Sequence, residues 1–316
     1  MSKNIIILGA GYGGVSAGQK LHKLFKKDDE VTITLIDKNP YHTLLTEIHE
    51  VAGNRIEEEA VKVDLDKLFS STKVNIIKDE IEDINLDTKT LSSNENQYDY
   101  DYLIMGTGSQ PSDCGVENVK EHSLSLWSID DALKIKENVE KSFQEARITD
   151  DPTKRKKLLS FVVCGGGFTG VEMLGELIDW IDDYSKKYDI DKSETELHIV
   201  EGLDHILPSL DKKSVERAEK HLKKNDVNII TGEFVDRLEK EKVILEDGNQ
   251  IDASTIIWAC GVEASKFAQS TGLKTGNASR LKVNKYLQTE NHPEVFAVGD
   301  NSAAPWKDDQ ITPALV

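Results

Sequence analysis

Short, wholly apolar runs alternate with longer amphipathic stretches along this chain. The first run, Ile5-Ile6-Ile7-Leu8, reads as a strand buried on both faces. Leu21, Leu24 and Phe25 follow at helical spacing, and a second apolar run, Val31 to Ile36, ends in Asp37. The same order returns deeper in the chain. Leu159 to Cys164 is a buried strand, and Val171, Leu174, Leu177, Ile178 and Ile181 share one helix face. Glu196 to Val200 is then a strand ending in Glu201.

Between the two copies, strand-like runs lie at Val74 to Ile77 and Glu80 to Ile84, and a helical stretch spans Ser128 to Arg147. "TDDPTKRKK", charged and containing proline, reads as a linker before the second copy. The polar "DDYSKKYDIDKSETE" reads as a helix end and surface loop. After Glu201 the pattern gives a helix over roughly Lys213 to Asn225, a strand at Val227 to Ile230 and a β-like "KVILEDG". The strands "STIIWACG" and "EVFAVGD" follow, the latter ending at Asp300.

Both strand-to-helix junctions are glycine-rich. Gly9, Gly11 and Gly14 form G-x-G-x-x-G in the first, and Gly165, Gly167 and Gly170 repeat it in the second. Such a spacing alone is a weak signal; its place between a strand and a helix, with a carboxylate ending the next strand, is a stronger one. The first glycine permits a tight turn, the second lets backbone approach a pyrophosphate, and the third allows helix and strand to touch. The helix N-terminus then faces the phosphates, while Asp37 and Glu201 accept from ribose hydroxyls. The gap from Gly170 to Glu201 exceeds the usual ~20 residues, the excess being the polar loop. Glu201 would repel the 2′-phosphate of NADPH, and no arginine stands beside it, so NADH is expected in the second copy. The expected fold is α/β, with two tandem Rossmann-like dinucleotide-binding domains.

Composition narrows the class. A chain of 316 residues suggests about two domains, as the two copies do. A net charge of −18 argues against nucleic acid as a partner and against a basic membrane-docking face. Cys114, Cys164 and Cys260 have no paired spacing, which fits a reducing compartment and gives neither a zinc site nor a C-x-x-C redox motif; no metal is expected. The N-terminal apolar run is a strand rather than a signal peptide, and no run approaches the ~20 residues of a membrane span. A soluble, cytoplasmic chain is expected.

Two further stretches carry a family resemblance. "YDYDYLIMGTGS" from Tyr98 and "VFAVGD" from Val295 resemble the crossover strand and the aspartate strand of two-dinucleotide flavoprotein reductases. The resemblance runs from one end of the chain to the other and implies that the first copy binds FAD while an inserted second copy binds NADH. It implies an FAD-binding domain over 1–120, a connecting helix and linker over 121–156, an NADH-binding domain over 157–280 and a return to the FAD domain over 281–316. Within that superfamily, "GAGYGG", "NPYHTLLTEIHEVAG" and "GGGFTGVEMLGEL" are similar to type II NADH:quinone oxidoreductases, the non-proton-pumping respiratory NADH dehydrogenases. The implied reaction passes a hydride from NADH to flavin and electrons on to menaquinone or ubiquinone. Implied FAD contacts are Gly9, Ala10, Gly11, Tyr12, Gly13, Gly14, Asp37, Lys38, Ile81, Thr107, Gly108 and Asp300, with Thr46 a looser match. Asp300 would hold the ribityl chain. Gly165, Gly167, Gly170 and Glu201 would hold NADH, and a functional glutamate falls on Glu172. A homodimer is among the assemblies the resemblance allows. Family members continue past the aspartate strand into a segment that contacts quinone and docks on the inner face of the cell membrane. This sequence stops at "ITPALV", so it is expected to be a truncated, soluble form without that tail.

Glu172 is expected in the first turn of its helix. There a carboxylate commonly complements the helix dipole; one beside a pyrophosphate would instead turn sideways, toward nicotinamide and flavin. His42 and His49, expected near the flavin edge, read first as structural hydrogen-bonders. Three rivals to a quinone reductase stay open. They are a soluble flavoprotein reductase of another acceptor, a sulfide:quinone oxidoreductase, and a non-catalytic nucleotide-binding redox sensor.

Overall fold

β1 (Lys3–Leu8) has parallel neighbours on both sides, which explains its apolar sequence. Ile5 and Ile7 point into a core with Val31, Ile33, Leu35, Leu65 and Phe69. Ile6 and Leu8 point into another with Ile36, Leu103, Met105, Val295 and Ala297. Each such side chain, once buried, contributes roughly 1.5–3 kcal/mol. The structure is a computed structural model and describes residues 2–305. The chain forms two compact units. One comprises residues up to 44, Lys62–Gln110 and the described chain from Val262; the other comprises Leu45–Val61 and Pro111–Gly261.

In the first unit, β1 leads through the glycine loop into α1 (Tyr12–Phe25), which returns to β2 (Val31–Asp37). β3 (Val74–Lys78) extends the sheet beyond β2, and β4 (Tyr102–Met105) flanks β1 on its other side. The late strand His292–Ala297 pairs parallel with β4, and Gln288–Thr289 forms an antiparallel edge. Of the α1 positions read as its apolar face, Leu21 and Phe25 pack on the core, whereas Leu24 is exposed. The run read as a strand at Glu80 to Ile84 forms only Asp83–Asn85, in a meander with Thr90–Ser92 and Gln97–Asp99. The Asp79 carboxylate ends the preceding strand. It accepts hydrogen bonds from Tyr98, Ser93 and Asn96 and so turns the chain before Glu80.

The second unit holds α2 (Ile48–Ala52), β5 (Leu124–Ser125) and α3 (Ile129–Ile148). Ser128 caps α3 by accepting the Asp131 amide at 3.1 Å. β6 (Ser160–Cys164) leads into α4 (Phe168–Tyr188), and β7 (Glu196–Glu201) follows. α5 (Lys212–Lys224) connects to β8 (Val227–Thr231), and β9 (Thr255–Trp258) completes a parallel sheet in the order β5-β9-β6-β7-β8. β6 lies between β7 and β9 as β1 lies between β2 and β4, so the repeat read in the sequence is a repeat of topology.

Two expectations change here. The charged "TDDPTKRKK" contains a helix, Pro152–Leu158, with Asp151 as its N-cap and proline in its first turn, a position where proline favours rather than breaks a helix. The units divide at 110/111 and 261/262, ahead of the expected 120 and 280, and α3 is part of the second unit rather than a separate connector. Residues 45–61 also join the second unit, because α2 packs on α3 and α4. "ITPALV" lies outside the described residues.

Candidate nucleotide-binding sites

The glycine loop of the first unit is shaped by what a side chain would meet. Gly9 has φ +99°, and a Cβ there would stand 2.3 Å from the Gly106 carbonyl oxygen. A Cβ on Gly14 would lie 1.8 Å from the Gly9 carbonyl oxygen, so α1 and the loop touch backbone to backbone. Gly11 differs: a Cβ on it would meet nothing closer than 4.0 Å. Gly11 is also the N-cap of α1, with no side-chain cap and no acidic residue in the first turn. Backbone packing therefore fixes two glycines, while the third leaves a helix N-terminus open to an anion.

Asp37 ties this loop to the next strand. Its Oδ2 accepts the Ala10 amide at 2.6 Å and its Oδ1 accepts the Asn39 amide at 2.7 Å. Burial pushes its carboxyl above the usual aspartate range, and the two amides partly offset that. His42, buried, donates from Nδ1 to the Ala10 carbonyl at 2.8 Å and takes the Tyr12 ring edge-on at 4.8 Å. At the same carboxyl end of the sheet, two strands over from β1, Asp300 Oδ2 accepts from the Ser109 hydroxyl at 3.1 Å, and Arg280 Nε donates to the Asp300 carbonyl at 2.9 Å. Asn301 is fully buried and donates to Met105 O and Thr107 Oγ1, both at 3.1 Å; its Oδ1 has no hydrogen-bond partner. Gly108, with φ +66°, lets the chain turn between Thr107 and Ser109. An open helix N-terminus and, beside it along the same sheet edge, an orphaned buried amide oxygen suit a ligand with an anionic centre and polar arms, and a dinucleotide fits.

The second unit repeats this chemistry. A Cβ on Gly165 (φ +110°) would lie 2.4 Å from Ala259 O, and one on Gly170 would lie 1.9 Å from Gly165 O. Around Gly167, the uncapped N-cap of α4, there is nothing within 4 Å. Glu201 takes the place of Asp37: Oε2 accepts the Gly166 amide at 2.7 Å and Oε1 accepts the Leu203 amide at 2.9 Å. These residues likewise fit a dinucleotide.

Glu172 is the fifth residue of α4, and the first turn holds no acidic side chain. The expectation of a first-turn carboxylate is corrected: the glycine junction sits closer to the helix than the sequence suggests, which places Glu172 in the second turn. It is half-exposed, and burial of the other half raises its carboxyl; His49 opposes that rise and Glu47 adds to it.

Residues 3–313 match the model of the pyridine nucleotide-disulphide oxidoreductase family. The type II NADH:quinone oxidoreductase of Staphylococcus aureus is 32% identical over 306 residues, covering 95% of this chain and 75% of that relative. This chain belongs to the type II NADH:quinone oxidoreductases. Solved structures share the fold. NDH2 from Plasmodium falciparum in complex with NADH has a TM-score of 0.85 at 22% identity, with 96% of this chain and 65% of that chain covered. The sulfide:quinone oxidoreductase of Aquifex aeolicus has a TM-score of 0.77 at 21% identity, with 96% and 70% covered. The chain thus spans about two thirds to three quarters of the length of these proteins.

For this oxidoreductase, the structure gathers Gly9, Ala10, Gly11, Tyr12, Gly13, Gly14, Asp37, Thr107, Gly108 and Asp300 in the first unit. Lys38, beside Asp37, is exposed, and Ile81 is buried in the core under the sheet. Thr46 belongs to the second unit, where it is exposed and its hydroxyl lies 3.4 Å from Glu47 Oε1. Gly165, Gly167, Gly170, Glu172 and Glu201 all stand in the second unit. Sequence reasoning missed Asn301 and Ser109, although each adjoins a motif residue. It also missed that the three cysteines meet: Cys114 Sγ lies 3.4 Å from Cys260 O, and Cys114 and Cys164 both act electrostatically on Cys260. Burial pushes the Cys164 thiol up to about 12 and Cys260 higher still, so both stay protonated at neutral pH. Among the described residues no group of three His, Cys, Asp or Glu side chains could hold a metal, and no helix is long and apolar enough to cross a membrane.

Proposed function

We propose that this chain transfers electrons from NADH through FAD to a quinone, with menaquinone or ubiquinone as the lipid acceptor. The observation that carries the reading is the duplicated cradle, an open helix N-terminus with a strand-end carboxylate in each unit, in a chain 32% identical to a type II NADH:quinone oxidoreductase. FAD and NADH are the cofactors. The chemistry that FAD supplies when bound is two-electron transfer, from a hydride of NADH to the acceptor. In this reading the first unit holds FAD through the loop at Gly9 to Gly14, with Asp37 at the adenosine ribose and Asp300 at the ribityl chain. The second holds NADH through Gly165, Gly167 and Gly170, with Glu201 at the ribose. Lys38, Thr46, Ile81, Thr107 and Gly108 complete the proposed flavin contacts.

Glu172 is the proposed proton-handling group. Its half-buried carboxyl, raised by burial, is suited to hold a proton more tightly than an ordinary glutamate and to pass it on. For family members that carry the tail, the proposed place of work is the inner face of the cell membrane, and a homodimer is the proposed assembly. The test is direct: denatured protein should release free FAD, and anaerobic NADH should bleach the flavin, which menadione then restores. A preparation that takes up no FAD on reconstitution would overturn the proposal.

A further inference from the structure

Glu172 and Glu176 lie one turn apart on α4, four residues being the spacing that stacks side chains on a helix face. His49 of α2 stands between them. Its Nδ1 is 3.9 Å from Glu172 Oε2, and its Nε2 is 3.9 Å from Glu176 Oε1. Glu176 is nine-tenths buried and fixed in place, since Arg55 donates to the same Oε1 at 2.7 Å while also reaching Glu50 at 2.8 Å. Gly53 makes room for it: a Cβ there would stand 2.5 Å from the Glu176 Cβ. The result is a carboxylate–imidazole–carboxylate line, with the inner carboxylate anchored by a guanidinium.

We propose that His49, oriented by Glu176, exchanges protons with Glu172 and restores its proton in each turnover. This rests on the reading of Glu172 given above. The need for such a group follows from the balance of the reaction. NADH gives up one hydride, whereas a quinone takes two electrons and two protons, so NADH, a quinone and one proton from solvent yield NAD⁺ and the quinol. An imidazole suits that proton, because it can accept at one nitrogen and release from the other. Here Nε2 takes a proton from the Glu176 side and Nδ1–H delivers one to Glu172 Oε2. At 3.9 Å each gap is closed by a small side-chain shift or a single bridging water.

The surroundings favour keeping a proton in the cluster. Facing it are Glu47, Glu50 and Asp179 besides the two α4 glutamates, against Arg55 as the fixed cation. α3, which packs on α2, buries apolar residues apart from Ser142 and adds no buried charge. Burial raises both α4 carboxyls, and Arg55 opposes that rise at Glu176. The arrangement follows the logic of a base held in place by a third group.

The test uses FAD-loaded protein and two acceptors: menadione, which takes protons with its electrons, and ferricyanide, which takes electrons alone. His49→Gln keeps a polar side chain but cannot exchange a proton at neutral pH. The ratio of menadione to ferricyanide turnover should fall about tenfold or more, the low end of acid–base effects being ~10²-fold for a residue in direct contact with substrate. The pH profile of menadione turnover should shift, and added imidazole should restore part of the rate. Glu176→Gln should lower the ratio in the same direction, and it serves if His49→Gln fails to fold or to load FAD. A ratio and pH profile unchanged in both variants would overturn the relay. Glu172→Gln separates the two claims. If it lowers the ratio while the other variants do not, the relay falls and the reading of Glu172 stands. If it leaves the ratio unchanged, that reading falls and takes the relay with it.

Discussion

Glu201 Oε2 accepts the backbone amide of Gly166 at 2.7 Å, the bond that in the other unit joins Asp37 to Ala10 at 2.6 Å. The strand-end carboxylate therefore does two jobs. It staples the glycine loop to the neighbouring strand, and it keeps lone pairs and negative charge where a ribose would lie.

Charge at Glu201 sets the first expectation. Glu201→Gln retains one acceptor oxygen but removes the repulsion of a 2′-phosphate. The NADH-to-NADPH ratio of kcat/KM should narrow about tenfold, which corresponds to ~1.4 kcal/mol. The same change removes one of the two bonds from backbone amides and takes the charge from the other, so the melting temperature should fall as well. Flavin reduction by both cofactors at equal efficiency in the unaltered protein would remove the role given to Glu201.

The two kinds of glycine should separate folding from binding. Gly167→Ala places a methyl in open space, so the fold should persist by circular dichroism while the KM for NADH rises. Gly170→Ala drives a Cβ to 1.9 Å from a backbone oxygen. That variant should lose ~3 kcal/mol or more through forced backbone movement, and expression or melting temperature would report it.

Acidification probes Asp37. Burial raises its folded-state pKa, so the folded chain holds this proton more tightly than the unfolded one. Its titration then contributes stability that is fully present below the ordinary aspartate range and lost as pH rises through the folded value. FAD retention should run the other way. A protonated Asp37 cannot accept from Ala10, Asn39 and a ribose together. Flavin release, followed by fluorescence, should therefore begin above the pH at which an ordinary aspartate titrates, and Asp37→Asn should release FAD at neutral pH.

Thiol chemistry gives a further check. Cys114 is exposed, Cys164 is fully buried and Cys260 is partly buried. Native protein should react at one thiol of the three with a disulfide reagent near neutral pH, and at all three after denaturation. Fast reaction at Cys164 would contradict the burial that holds its thiol protonated.

Much of this was legible from residue order. Ile5 to Leu8 is apolar at every position because both faces of β1 are covered, and "SFVVC" at Ser160–Cys164 is fully buried for the same reason. The loop and strand-end places of Gly9, Asp37, Gly165 and Glu201 were legible because a strand, a turn and a carboxylate recur in a fixed order. The linker before β6 misled, since proline and lysine mark loops on average but also begin and end helices. The His49–Glu176–Arg55 line could not be read at all. Its members sit in separate stretches, and only the packing of α2 on α4 makes them neighbours.

The first unit is assembled from both halves of the chain: β1, β2, β3 and β4 come early, and the strand His292–Ala297 that flanks β4 comes near the end of the described residues. On a ribosome adding ~5–20 residues per second, β1 waits on the order of tens of seconds for that strand to emerge. The second unit, whose sheet runs from Leu124 to Trp258, is complete before then. Translation order therefore makes the second unit, the proposed NADH unit, the earlier of the two to be complete. In the proposed reading the flavin cradle draws on Gly9 and Asp300 together, so it closes late, and capture of FAD would mark a chain whose synthesis has passed Asp300.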